Sequence, residues 1–80
     1  PNPASGALSQ ALRLPHGSTV EWSLYDLAGR RVAILWRGVL PAGAHELTGA
    51  LPRSLAGGLY FVRVSVEGRT SPARRLAVVR

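Results

Sequence analysis

The sequence predicts an all-β protein, a small antiparallel β-sandwich of about six or seven strands. Two patterns predict it. Short segments alternate apolar and polar residues, with Gly and Pro punctuating them at short intervals, and no segment carries a capped amphipathic helix of about ten residues or more. Length adds a third constraint: eighty residues make one domain, residues 1–80. A chain of that size buries only about 60–65% of its extended surface, so the core is small. Two small sheets packed face to face are the economical solution; a small open barrel is the alternative.

Each element follows from local pattern. In residues 7–14, Ala7, Leu8, Ala11 and Leu12 fit a helical spacing, but Pro15 and the short length favour an edge strand. Residues 18–26 alternate cleanly, with Val20, Trp22 and Leu24 on one face and Glu21, Ser23 and Tyr25 on the other. The pattern breaks at the glycine of Leu27-Ala28-Gly29-Arg30, as a hairpin loop does. Residues 31–37 resume it, with Val32, Ile34 and Trp36 opposite Ala33 and Leu35. A loop is expected over 38–43, a weaker strand over 45–51, and a loop over 52–58 in which Ser54-Leu55-Ala56 makes one helical turn. Strands follow over 59–66 and 70–79, joined by the turn Glu67-Gly68-Arg69. The expected inward residues are Trp22, Leu24, Val32, Ile34, Tyr60, Val62 and Val64. Because the last strand runs to the final residue, that end belongs to the fold rather than to a tail.

Composition narrows the function classes. There is no cysteine, hence no disulfide, thiolate ligand or thiol nucleophile. No apolar stretch approaches the ~18–20 residues that span a bilayer, and no signal peptide opens the chain, so Pro1 reads as a cut end. All ten basic residues are arginine, against four acids, for a net charge of +6. Such an excess suits an anionic partner, and it equally suits a solvated surface encoded by a GC-rich genome.

No catalytic constellation is present. His16 and His45 both lie beside turns, where a histidine is usually solvated or caps the turn, and the acids Glu21, Asp26, Glu46 and Glu67 are dispersed. Asp26 is placed to accept backbone N–H bonds in the glycine turn that follows it. The serines have neither a neighbouring base nor a strained elbow, and two histidines without cysteines or clustered carboxylates make a poor zinc set. No metal or cofactor is expected. Gly57-Gly58 precedes a strand rather than a helix, unlike a phosphate loop; Gly29, Gly43, Gly58 and Gly68 read as turn glycines. Nucleic-acid binding is not expected, since Trp22 and Tyr60 read as core and no recognition helix exists. A carbohydrate face would need Tyr25, Trp36 and Phe61 exposed together on one sheet. Arg63, within an otherwise apolar strand, either lies on the solvent face along an aromatic neighbour or makes a recognition contact or an ion pair with Glu21 or Glu46.

Five segments in order then carry a resemblance: Pro1-Asn2-Pro3; VEWSLYDLAGRRV from Val20 to Val32; LPAGAH from Leu40 to His45; LAGGLYFVR from Leu55 to Arg63; and Gly68 with the closing strand from Arg74 to Arg80. Together they resemble the C-terminal sorting domain (type A) of the type IX secretion system, and are similar to the immunoglobulin-like domain of flagellar hook-capping proteins. The chain departs from the family in its Ala/Leu-rich 6–14 segment and in using Arg for Lys in the last strand. The resemblance implies an address rather than an activity: a non-catalytic module, folded in the periplasm, recognised by an outer-membrane secretion translocon and often removed by a sortase-like peptidase as its cargo is attached to anionic lipopolysaccharide at the cell surface. On that reading the last hairpin, with Arg63, Gly68, Arg74, Arg75 and Arg80, offers an edge strand and a row of charge to a partner. Two other functions compete. Open edge strands would suit a self-assembling subunit of an extracellular filament or surface layer, and an aromatic face would suit a glycan-binding accessory module.

Overall fold

The computed structural model of the chain describes residues 6–79. They form seven strands: β1 (Ala7–Leu14), β2 (Ser18–Tyr25), β3 (Arg31–Leu40), β4 (Gly43–Ala50), β5 (Gly58–Val66), β6 (Arg69–Thr70) and β7 (Arg74–Val78). There is no helix among the described residues. All pairings are antiparallel. One sheet runs in the order β3-β2-β5-β6, with β7 continuing along the same partner strand β5; the other consists of β1 and β4. The expected all-β two-sheet architecture is the one found.

The core lies between these sheets. The larger sheet contributes Val20, Trp22 and Leu24 from β2, Tyr60, Val62 and Val64 from β5, and Leu76 and Val78 from β7; Leu14, Leu47 and Leu51 face them from the other side. Trp22 is 1% exposed and Leu24 is fully buried. Packing the indole of Trp22 dictates what stands opposite. A Cβ on Gly49 of β4 would sit 3.1 Å from the Trp22 ring and 3.4 Å from the Leu35 carbonyl oxygen, so a side chain at 49 would displace the central tryptophan or the β3 backbone. The Trp22 Nε1–H itself is buried with no acceptor among the described residues.

Residues 7–14 resolve as a strand, not a helix. β1 pairs along its whole length with β4, from Ala7 opposite Ala50 to Leu14 opposite Gly43. Its inward residues Leu8, Leu12 and Leu14 pack on the core while Ala7, Ser9, Ala11 and Arg13 are exposed. The period-2 burial wins over a helical spacing that the same leucines also satisfy.

The expectation that Val32 and Ile34 point inward is corrected: each is 41% exposed. The cause is a pair of register shifts. Trp22 stands opposite Trp36, but Ser23 stands opposite Ile34, so Leu35 is an extra residue on β3; a second shift leaves Val32 unpaired between Ala33 and Arg31. A bulge inverts the side-chain alternation beyond it. Trp36, Leu35 and Ala33 therefore pack on the core, and Ile34 turns outward. β3 also runs on to Leu40, leaving only Pro41 and Ala42 between it and β4, so the loop expected over 38–43 is much shorter.

The last strand is likewise divided. β6 ends at Thr70 and β7 begins at Arg74, because Pro72 has no N–H to give the ladder. Ser71 bridges the interruption: its N–H donates to the Val64 carbonyl at 2.7 Å, and its hydroxyl oxygen accepts the Val64 N–H at 3.1 Å. The preceding hairpin turns on Glu67 (φ 50°) and Gly68 (φ 81°), the two positive-φ positions of a two-residue turn. Glu67 tolerates this conformation while its backbone N–H donates to the Thr19 carbonyl at 2.9 Å and its carboxylate accepts the Thr19 N–H at 2.5 Å. In the 51–57 loop the expected helical turn is a single tight turn, closed by Leu55 N–H to the Pro52 carbonyl at 3.1 Å.

Candidate docking surface

Since β1 and β4 cover only the inner face, the outer face of the larger sheet meets solvent, and cross-strand register arranges its side chains in rows. One row runs Arg31, Tyr25, Phe61, Arg75; the next runs Ile34, Ser23, Arg63; a third runs Arg37, Glu21, Ser65, Thr70. The surface is thus an aromatic pair flanked by guanidinium groups.

Two carboxylates organise it. Glu21 accepts from Arg31 Nη1 at 2.6 Å and from the Ser23 hydroxyl at 2.9 Å, with Arg37 Nη1 at 4.0 Å. The Ser23 hydrogen bond, reinforced by Arg31 and Arg37, outweighs partial burial and holds the Glu21 carboxyl below its ordinary range. Asp26 holds the β2–β3 turn as expected. Its Oδ1 accepts the N–H groups of Ala28 at 3.0 Å and Arg30 at 2.9 Å, and Arg30 Nε reaches Oδ2 at 3.0 Å. The Arg30 backbone hydrogen bond leads the interactions that lower the Asp26 carboxyl. Gly29, with φ 87°, completes that turn.

With Glu21 occupied by Arg31 and Arg37, and Glu46 on the other sheet, Arg63 has neither acid as a partner. Its guanidinium carbon lies 5.8 Å from the centroid of the Tyr25 ring, a cation–π contact worth about 0.5–1 kcal/mol at an exposed site. Tyr25, Asp26, Leu27, Phe61, Arg63 and Thr70 line a hollow of about 390 Å³ here. Tyr25 and Phe61 stand directly opposite one another, but Trp36 packs on the core, so the three rings do not share a face.

The closing cations do not form a single row. Arg75 stands beside Phe61 on the outer face. Arg74 is paired with inward-facing Val62, and its Nη1 donates to Gln10 Oε1 of β1 at 3.1 Å. Adjacent residues of a strand point to opposite faces, which the sequence dictates but a count of charges hides. Gly68 serves the hairpin turn rather than the surface. Arg80 and Pro1-Asn2-Pro3 lie outside the described residues. Sequence reasoning also missed Gln10, whose partner is distant in the chain and carries no local signal.

Several of the residues that carried the resemblance fasten turns. His45 Nε2 lies 2.7 Å from the Pro41 carbonyl oxygen, beside Gly43 with φ 120°. The Tyr60 hydroxyl donates to the Ala56 carbonyl at 2.7 Å, clamping the loop before β5 as a tyrosine corner does, and Gly58 has φ 153°. His16 Nδ1 contacts the Gly17 carbonyl oxygen at 3.1 Å. Among the described residues no group of three or more His, Asp or Glu is placed to hold a metal ion, and no helix is long and apolar enough to cross a membrane. Comparison of the chain with protein-family models, with curated proteins and with solved structures finds no match.

Proposed function

We propose that this chain is a non-catalytic sorting module, which directs an exported protein from the periplasm through an outer-membrane translocon to the cell surface. The observation that carries the proposal is the double role of β7. This strand buries Leu76 and Val78 in the core, pairs on one side with β5 and with no other strand among the described residues, and presents Arg75 beside Phe61 and Arg63 on the outer face. A signal read in the folded state needs a handle that exists only when the domain is folded, and such an edge is one. The ordered motifs from Val20 to Arg80 support the same reading, as does the outer-face guanidinium cluster, which suits an acidic translocon surface or anionic lipopolysaccharide. Removal by a sortase-like peptidase belongs to this proposal.

Deleting the last strand is a poor test, because it also takes Leu76 and Val78 from the core. Charge reversal at Arg63 and Arg75 leaves the core intact. In a bacterium with a type IX system, a cargo carrying R63E/R75E should accumulate in the periplasm while the parent reaches the surface. Equal export of folded parent and variant overturns the proposal. A second reading, a subunit of an extracellular filament or surface layer, draws on the edges of β3, β4 and β7 that have no partner strand among the described residues, and on exposed Val39 and Ile34. Sedimentation of the purified domain separates the two: the sorting module stays monomeric, the subunit polymerises.

A further inference from the structure

The flank where β1 overhangs β6 holds a second feature. β1 pairs with β4 on one side only, so alternate backbone N–H and C=O groups along its other edge have no strand partner among the described residues. Natural edge strands are blunted by proline or by several charges. β1, ALSQALRL, has no proline and one charge, Arg13. Between this edge and the larger sheet runs a groove of about 410 Å³, with Leu12, Val64 and Val66 among its apolar lining and Arg13, Arg69 and Thr70 at its rim.

We propose that this groove binds an extended segment of a partner protein, alternating apolar and acidic residues, as a strand added to β1. Each feature of the occupant answers a feature of the groove. The free edge asks for an extended backbone, and the period of two then sends alternate side chains toward Leu12, Val64 and Val66. Arg13, on the outward face of β1, and Arg69, opposite Val66 at the groove rim, are exposed and make no side-chain hydrogen bond or ion pair among the described residues, and the chain as a whole carries +6, so acidic residues complement both flanks of the groove. Glu67, the acid nearest Arg69 in sequence, is already engaged with Thr19. A second copy of this chain fits less well, because two bodies of the same strong charge would meet at two arginines. Arg74 donates to Gln10, which lines the groove, and so ties β7 to β1 beside it. The inference does not depend on the sorting function, since it uses only the geometry of this flank.

The test uses the isotope-labelled chain and a fluorescein-labelled octapeptide alternating valine and glutamate, with a valine–lysine octapeptide as control. Saturable binding of the glutamate peptide is expected, with amide shifts concentrated in β1 and β6 and no binding of the lysine peptide. R13E/R69E, both at exposed positions, should keep the parent spectrum elsewhere and bind at least about tenfold more weakly. No saturation up to about 1 mM overturns the inference, as does unchanged affinity in the variant. So does a dimer in sedimentation with the same β1 amides at its interface, which would make a second copy the occupant.

Discussion

Arg74 Nη1 donates to Gln10 Oε1 at 3.1 Å, joining the last strand to the first across the two layers. This contact converts a residue that reads as surface charge into a structural fastener, and it separates the roles of two neighbouring arginines. Arg74 holds β1 over the β7 edge, whereas Arg75 belongs to the outer face.

The first prediction concerns that fastener. Gln10→Ala, Arg74→Ala and the double variant, compared by denaturant unfolding, should give a coupling energy of about 0.5–1.5 kcal/mol, the usual net worth of one such bond. Additive losses would show that the two side chains act independently.

Ser71 carries a second. The break at Pro72 would leave the Val64 N–H without a ladder partner, and the Ser71 hydroxyl oxygen accepts it at 3.1 Å. Ser71→Ala removes that acceptor beside a buried residue and should cost about 1–3 kcal/mol. Ser71→Thr, which keeps the hydroxyl, should recover most of the loss in thermal unfolding. Equal stability of the alanine variant and the parent would mean that the Val64 N–H finds another partner.

Asp26 sets the acid dependence of the β2–β3 turn. Its folded carboxyl is held below the ordinary aspartate value of about 3.9. The unfolded chain therefore takes up the proton first, and the stabilisation, complete above that ordinary value, is lost as pH falls through the lower folded one. Asp26→Asn should lower the melting temperature near neutral pH, and its difference from the parent should shrink as the solution becomes strongly acidic. A difference that stays constant with pH contradicts the turn-capping role. Glu21, lowered chiefly by its Ser23 hydrogen bond, adds an acid limb of the same sign that the variant retains.

The sequence made the strands legible wherever alternation ran unbroken. Val20, Trp22 and Leu24 in β2, and Tyr60, Val62 and Val64 in β5, are buried as their spacing requires. It misplaced Val32 and Ile34 because one extra residue, Leu35, inverts the phase of β3, and no local signal in RVAILWR marks the bulge. The turns were readable from Asp26, Gly29 and Gly68, whose chemistry is local. The surface was not. Its rows are products of register between strands distant in sequence, which is why Tyr25 meets Phe61 and why Arg74 meets Gln10 rather than joining a line of cations.

The sorting role is tested by fusing residues 1–80 behind a monomeric periplasmic reporter in a bacterium with a type IX system and following where the folded reporter resides. A protease-accessible reporter on the cell surface is expected, and its retention in the periplasm when Arg63 and Arg75 are reversed. A reporter that stays periplasmic while its attached domain is folded would contradict that role.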